Sequence, residues 1–295
     1  MLLTEQIHSR REFVKYSLTA GIAAATSASG CGKSTGLYGG YELGMATFGF
    51  RHFSGPDAVA GVKQLGATCM DISPSLEDYW VNGERFRRFN RDALGYPANP
   101  DYWNPLKTAL VKHGVRCDTY GDMISDNMES NRFLFKWMKT EHISYMRVSS
   151  SPEMLAKLEP LVEEYQIPVV VHNHGPTDKY YQKITAMVDA LKNRHPLIGA
   201  CVDVGHFWRG GEDPVEALEA LGDRVLRIHL KDQASVEENA VIGEGQLDIP
   251  AILRTLQKIK FSGPLTLEYE AHPENPIPYM EQCLVNLRRM FADMG

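Results

Sequence analysis

Four stretches of the sequence end a short apolar run in side chains that bind metal ions. The first is IPVVVHNHGP, residues 167–176, in which His172 and His174 lie two residues apart. Strand side chains alternate between two faces, so both imidazoles are expected to point the same way. Gly175 and Pro176 then break the run. The stretch predicts a strand that presents imidazoles at its carboxyl end.

Three later stretches repeat this arrangement. LIGACVDVGH (197–206) ends in Asp203 and turns to His206, RVLRIHLKD (224–232) places His229 and Lys231 on one face, and PLTLEYE (264–270) does the same with Glu268 and Glu270. A single buried histidine is usually a core residue whose hydrogen bonds are satisfied. Four strands with nitrogen or oxygen donors in matching positions favour a shared site.

Two imidazoles and two carboxylates make up the predicted ligand set, which is His172, Asp203, His229 and Glu268. This set suits Mn²⁺, Zn²⁺, Co²⁺ or Fe²⁺ rather than Ca²⁺ or Mg²⁺, which prefer oxygen donors. Such a divalent transition metal polarises the carbonyl of a hydroxy-ketone and stabilises the enediolate formed when the neighbouring proton leaves. The residues nearby in sequence that are suited to acid and base chemistry are His174, His206, Lys231, Glu244 and Glu270.

The elements that must position these residues alternate regularly along the chain. Strands are predicted near 43–48, 68–72, 115–120, 144–148, 168–172, 198–203, 225–230 and 265–268. Helices are predicted near 56–65, 105–113, 129–140, 152–165, 180–194, 214–221, 249–259 and 277–294. Several of these helices open with proline, which is tolerated in the first turn.

Eight β/α units in about 250 residues predict an α/β fold, a single (β/α)8 barrel with its helices outside. The carboxyl ends of barrel strands meet at one face, so the four predicted ligands are expected to converge there. A doubly wound open sheet is the alternative. No GxGxxG or GxxxxGK loop follows a strand, which removes the usual nucleotide-binding role of such a sheet.

Composition excludes several classes of protein. The 295 residues carry 31 basic and 37 acidic side chains, a net charge of −6, without a basic face for nucleic acid. The five cysteines show no CxxC or paired spacing, so neither a zinc ribbon nor a disulfide framework is indicated. An apolar fraction of 43% is ordinary for a globular core. The sequence leaves the oligomeric state open.

The first 36 residues predict an export signal ahead of a barrel spanning 37–295. Arg10 and Arg11 precede a charge-free stretch, residues 16–30, that is too short and too rich in Ala, Ser and Thr to span a bilayer. This pattern is typical of a twin-arginine signal, so a periplasmic or otherwise exported protein is expected. ASGC, ending in Cys31, resembles a lipoprotein cleavage box. Contact with a membrane is expected only through the signal or a lipid on Cys31.

One predicted loop, residues 73–104, is unusually long for a compact domain and rich in aromatic and arginine residues. Loops of this length are usually functional. Its aromatic rings suit either a platform for sugar rings or simple packing of the loop onto the barrel, and both interpretations stay open.

The motifs, taken together, resemble the sugar phosphate isomerase/epimerase group of xylose-isomerase-like TIM barrels. DVGH (203–206), HLKD (229–232), GEGQLD (243–248) and LEYE (267–270) follow in the order typical of that group. The group includes inosose dehydratases, ketose 3-epimerases and 3-keto-glycoside lyases. The resemblance implies a small carbohydrate substrate, metal ligation by Asp203, His229 and Glu268, and contact of His206 with substrate.

One departure from the group bears on the reaction. Members with an E-N-H motif on the fifth strand supply a glutamate ligand, whereas this chain has His172 at that position. The 3-epimerases of the group use two opposed metal-bound glutamates, and a metal-bound imidazole is a poor base. The variant therefore favours one-sided chemistry, namely proton abstraction beside a carbonyl followed by loss of a β-substituent.

The resulting hypothesis is an exported, metal-dependent sugar lyase or isomerase acting on a keto-sugar or 3-keto-glycoside. The predicted catalytic residues are Glu268, His174 and Lys231, and the predicted substrate-binding residues are His206, Glu244 and Glu270. Two alternatives are a ketose epimerase or isomerase with another base, such as Lys231, His174 or Glu270, and a carbohydrate-binding barrel without turnover. Cleavage of phosphodiesters, as in endonuclease IV, would require a basic DNA groove and more histidine ligands.

Overall fold

The computed structural model describes residues 37–73, 76, 79–81, 84–86, 100–121 and 124–295. The predicted export signal and Cys31 lie outside the described residues, as does most of the long loop 73–104. Export, lipidation and a role for that loop therefore stay predictions.

Eight parallel strands close into a barrel, so the predicted (β/α)8 fold is confirmed and the open-sheet alternative is wrong. The strands found in the described residues are β1 (Leu43–Ala46), β2 (Cys69–Ile72), β3 (Tyr79–Val81), β4 (Glu84–Phe86), β5 (Arg116–Gly121), β6 (Tyr145–Val148), β7 (Val169–His172), β8 (Ile198–Asp203), β9 (Val225–Leu230), β10 (Asp232–Gln233), β11 (Asn239–Ala240) and β12 (Leu265–Leu267). Around the barrel the order is β1, β12, β9, β8, β7, β6, β5 and β2, while β3–β4 and β10–β11 form separate two-stranded sheets.

Helices follow the barrel strands. Within the described ranges they are α1 (Gly55–Gln64), α2 (Pro100–His113), α3 (Met128–Glu141), α4 (Pro152–Tyr165), α5 (Ile184–Leu191), α6 (Val204–Arg209), α7 (Pro214–Leu221), α8 (Ile249–Lys258) and α9 (Ile277–Met294). Five of them begin after a serine or aspartate whose side chain accepts a backbone N–H of the first turn, namely Ser54, Ser151, Asp203, Asp213 and Asp248. None of the helices in the part of the chain that the structure describes is long and apolar enough to cross a membrane.

Two helix boundaries differ from the sequence-based expectation. Helix α2 begins at Pro100, so Pro105 lies inside the helix and removes one helical hydrogen bond. Helix α5 begins only at Ile184 because Asp178 holds the preceding residues in a turn. The Asp178 Oδ1 accepts the backbone N–H groups of Tyr180 and Tyr181 at 2.8 and 3.0 Å.

Strand β9 and the residue that follows it place polar side chains in the barrel interior, one above another along the barrel axis. These side chains lie two residues apart and therefore on one face, about 6.6 Å per step along the chain, and they belong to Arg227, His229 and Lys231. All three are buried. The outward residues of the strands pack against the helices in one apolar core, which contains Ile228 and Leu230 of the same strand.

Near the amino ends of the strands, charged side chains form a paired cluster that we call the lower network: Arg227, Asp118, Arg116 and Glu42. Arg227 Nε and Nη2 donate to the Asp118 carboxylate at 2.7 and 3.1 Å. Arg116 Nη2 donates to Asp118 Oδ1 at 3.1 Å and to Glu42 Oε2 at 2.8 Å. Two carboxylates thus meet two guanidinium groups.

Asp232, the residue after Lys231, organises the loop that contains the GEG motif. Its Oδ2 accepts the backbone N–H groups of Gly243 and Gly245 at 2.9 and 3.0 Å, and its Oδ1 accepts that of Leu247 at 3.1 Å. A Cβ on Gly245 would lie 2.2 Å from Asp232 Oδ1, so only glycine fits there. The HLKD and GEGQLD motifs are therefore linked by a structural contact.

Candidate metal centre and active site

Four side chains converge at the carboxyl ends of β7, β8, β9 and β12. His172, Asp203, His229 and Glu268 each offer one donor atom, and these atoms all lie within 4.8 Å of one another. All four residues are buried. The structure thus brings together the predicted ligand set, although ligation itself stays a prediction.

The donor atoms face one another closely. His172 Nε2 lies 3.1 Å from His229 Nδ1 and 3.4 Å from Asp203 Oδ2. His229 Nδ1 lies 2.9 Å from Glu268 Oε2. One nitrogen of each imidazole and one oxygen of each carboxylate therefore point at a common position.

Lys231, directly after strand β9, joins this group. Its Nζ lies 2.9 Å from Asp203 Oδ2 and 2.9 Å from Glu268 Oε2, and it also donates to Glu270 Oε1. Burial alone would lower the pKa of Lys231, but the three carboxylates raise it well above its usual value. Lys231 is therefore a cation here, and the role of alternative base considered for it is disfavoured.

Two side chains that contact the four donors, directly or through one another, were not predicted from the sequence. His229 Nε2 lies 2.7 Å from Asp71 Oδ2, and Arg147 Nε donates to the same oxygen at 2.9 Å. A metal-binding histidine commonly turns its second nitrogen to a carboxylate, which fixes the tautomer and the ring orientation. The available signal was a single charged residue in each of two otherwise apolar strands, CMDI and YMRV.

The surroundings set different protonation states for the donors. Burial, helped by the nearby histidines, lowers the pKa of His172 well below its usual value, so this ring is neutral. Burial would also lower the pKa of His229, but Cys201, Glu268 and Asp71 raise it well above 6.5. The pKa of Asp203 stays low despite burial because His206, Lys231 and His229 favour its ionised form. Lys231 and His229 act in the same way on Glu268.

Charged side chains are concentrated at this end of the barrel. The contacts join four carboxylates, Asp71, Asp203, Glu268 and Glu270, to the cations Arg147 and Lys231 and to His229. The Arg51 guanidinium also acts electrostatically on Glu270 and Glu268. Asp203 Oδ2 accepts no well-directed hydrogen bond from the described residues, although Lys231 Nζ approaches it. A carboxylate oxygen without a well-directed hydrogen bond, close to three other nitrogen and oxygen donors, fits a divalent transition cation.

The remaining predicted residues lie at different distances from this group. His206 is carried by α6, a short helix that the sequence analysis missed, and its ring centroid lies 5.8 Å from that of His172. His174 lies 4.7 Å from His172 by the same measure and its side chain is 44% exposed. Glu270 contacts Lys231. Glu244 is exposed in the turn after β11, and no contact between the described residues brings it to the four donors.

Comparison with known proteins agrees with this fold. The model of the family described as "Xylose isomerase-like TIM barrel" matches residues 150–289, a stretch that contains β7 to β9, β12 and the four donors. The resemblance predicted from the motifs is therefore confirmed.

The individual relatives share less than a third of their residues with this chain over the aligned stretch. An inosose dehydratase from Clostridium perfringens is 28% identical over 180 residues, which are 54% of this chain and 59% of the relative. The chain thus spans less than two thirds of the length of this and other curated relatives that it matches. The 3-keto-D-glucoside 4-epimerase from E. coli, at 14% identity, aligns with 84% of this chain and 99% of its own, with a TM-score of 0.64. The IOLI protein with a bound zinc atom, at 15% identity, aligns with 85% and 97%, with a TM-score of 0.63.

Proposed function

We propose that this chain is a metal-dependent enzyme that removes a proton beside the carbonyl of a keto-sugar or 3-keto-glycoside and then expels a β-substituent. The observation that carries the proposal is the convergence of His172, Asp203, His229 and Glu268, whose donor atoms lie within 4.8 Å of one another. The 28% identity to an inosose dehydratase, an enzyme named for the loss of water from its substrate, supports the same class of reaction.

His172, Asp203, His229 and Glu268 would hold the divalent transition metal. Nitrogen and oxygen donors in equal number suit Mn²⁺, Zn²⁺, Co²⁺ or Fe²⁺, and the zinc atom bound in the IOLI structure supports this choice. When bound, such an ion polarises a substrate carbonyl and makes the neighbouring proton more acidic.

Glu268 is the proposed proton acceptor. Its carboxylate is buried and ionised, because Lys231 and His229 keep its pKa low despite burial. Lys231 Nζ touches Glu268 Oε2 on one side and Glu270 Oε1 on the other. The side chain of Glu270 is 23% exposed, so this chain of contacts connects the buried base to solvent and offers a route for the abstracted proton.

Elimination is proposed over epimerisation because of His172. Delivery of a proton to the opposite face needs a second base across the substrate. The pKa of His172 is lowered well below its usual value by burial and the neighbouring histidines, so this ring is a poor proton acceptor even without a metal. His174, whose ring centroid lies 4.7 Å from that of His172 and whose side chain is 44% exposed, is the remaining proposed catalytic histidine and is proposed to protonate the leaving group. His206, Glu270 and Glu244 are proposed to contact the sugar.

The test is turnover in D₂O. Protein loaded in turn with Mn²⁺, Zn²⁺, Co²⁺ or Fe²⁺ is incubated with a keto-inositol, with 3-keto-glycosides and with free ketoses, and the reaction is followed by NMR. We expect deuterium at the carbon beside the carbonyl and an unsaturated or hydrated product. Clean inversion of a free ketose at C3, without elimination from any substrate, would establish an epimerase instead. Binding of these sugars without any exchange would establish a carbohydrate-binding barrel.

We further propose that the protein is exported by the twin-arginine route, on the basis of Arg10, Arg11 and the charge-free stretch 16–30. Changing both arginines to lysine should leave the precursor in the cytoplasm with its barrel folded. Unchanged recovery of the double variant from the periplasm would contradict this proposal. Mass spectrometry of the mature amino terminus would show separately whether Cys31 carries a lipid.

A further inference from the structure

The backbone N–H and the imidazole ring of His206 each contact another residue of helix α6 or its amino-terminal cap. Asp203 caps α6 by accepting the backbone N–H of His206 on Oδ1 at 2.8 Å. The ring Nε2 faces the metal-site carboxylate, 3.7 Å from Asp203 Oδ2, and the ring Nδ1 lies 3.2 Å from Arg209 Nη1. At 3.7 Å no hydrogen bond forms with Asp203, so the hydrogen-bonding capacity of Nε2 stays available to a ligand.

Arg209 restricts the proton of this ring to one nitrogen. A guanidinium group is always protonated and only donates, so the Nδ1 that it approaches must accept. A neutral imidazole with an accepting Nδ1 carries its hydrogen on Nε2. A doubly protonated ring would place two donors and two positive charges against each other.

Arg209 is itself fixed by the loops around the site. Its Nε donates to the backbone carbonyl of Val236, in the β10–β11 turn, at 2.6 Å. On another side, a Cβ on Gly175 would lie 3.4 Å from Arg209 Cζ, so the loop after β7 closes on the guanidinium group. The group is therefore anchored independently of His206.

We propose that Arg209 is a positioning residue that holds His206 as the Nε2–H tautomer, a hydrogen-bond donor aimed at a substrate oxygen. The part of this proposal that concerns substrate rests on the proposed function, whereas the tautomer does not.

The tautomer is measured by ¹⁵N NMR of the imidazoles, on metal-free and Zn²⁺-loaded protein, with the His206 signals assigned by their loss in His206→Gln. We expect a protonated Nε2 and an unprotonated Nδ1 in the wild type between about pH 5 and 8. Arg209→Met should let the Nδ1–H form appear, and Arg209→Lys, which keeps a donor, should suppress it in part. Lys183→Met is the matched control, because Lys183 Nζ contacts the Gly210 carbonyl at the end of α6 without contacting His206.

A wild-type His206 protonated on Nδ1 would overturn the proposal even if Arg209→Met failed to fold. An unchanged His206 spectrum in a folded Arg209→Met variant would overturn it as well. On an active substrate, Arg209→Met should lower kcat/KM about tenfold, the size of one hydrogen bond, with Zn²⁺ affinity unchanged. Failure of the proposed function would remove only this kinetic result and leave the NMR result intact.

Discussion

The two ends of the barrel interior are both charged, but they are charged in different ways. In the lower network two carboxylates meet two guanidinium groups, and Arg227 grips Asp118 through two nitrogens. At the upper end four carboxylates meet Arg147 and Lys231, with the imidazole of His229 among them. Strand β9 supplies Arg227 to the lower network and His229 to the upper site, and Lys231 of the upper site follows directly after the strand.

This difference separates a structural use of buried charge from a functional one. Buried ions stabilise a fold only when each has a partner, and the lower network meets that condition without any ligand. The upper site does not meet it in the same way, because the buried donor atom Asp203 Oδ2 and the second ring nitrogen of His172, Nδ1, make no well-directed hydrogen bond within the described residues. A buried cluster whose donor atoms converge without being satisfied by one another is therefore the better indicator of a ligand site.

The largest expected effect contrasts Glu268→Gln with Asp118→Asn. Glu268→Gln should lower turnover by about 10²–10⁴-fold, the range for loss of a general base. Asp118→Asn should leave the turnover of folded protein unchanged and lower the stability by about 3 kcal/mol, because it leaves Arg227 buried without its counter-ion. Turnover and thermal unfolding are measured on both variants. Equal losses of turnover would show that the two ends do not differ in function.

The second-largest expected effect is on metal affinity, which should depend on the upper site and not on the lower network. Asp203→Asn removes one donor and should weaken Zn²⁺ binding by more than about 100-fold, beyond the range for an outer-sphere partner. Asp118→Asn, the control from the lower network, should bind Zn²⁺ as the wild type does. Competition with a chromogenic chelator gives both affinities. Wild-type affinity in Asp203→Asn would exclude this carboxylate as a ligand.

A smaller effect is expected for Asp71, which contacts His229 on the side away from the metal donors. Asp71→Asn keeps the size of the side chain but loses the charge that orients the imidazole, so Zn²⁺ affinity should fall about 10–100-fold. The same chelator competition measures it. A fall as large as that of Asp203→Asn would indicate that Asp71 is itself a ligand.

The smallest expected effect is the release of a proton when the metal binds. The raised pKa of His229 means that its ring is doubly protonated in the metal-free protein at neutral pH, so metal binding at Nδ1 should release about one proton. Affinity for Zn²⁺ should therefore rise about tenfold per pH unit up to that pKa and then level off. Without metal, the protonated ring contributes stability below about pH 6.5 that is lost as the pH rises through the raised pKa. Calorimetry in two buffers of different ionisation enthalpy counts the protons, and a release near zero would contradict this state of His229.

The barrel and its four donors were predictable because each signal is local. A β-branched run that ends in a polar residue, as in IPVVVHNH, predicts both a strand and the end of that strand at which the polar side chains lie. Asp71 and Arg147 were missed because their roles arise from contacts across 158 and 76 residues, which no local pattern encodes. Helix α6 was missed because six residues are too few for helical periodicity, and Asp203 as its cap was interpreted only as a ligand.

The shared use of β9 has a consequence for how this gene can vary. Single substitutions can change Arg227 or His229 separately, so stability and activity are open to independent selection. Deletion of one residue early in the strand is different, because it turns every following side chain to the opposite face. Arg227, His229 and Lys231 would then leave the interior together. In a library of variants, this strand should therefore accept several substitutions but no one-residue deletion.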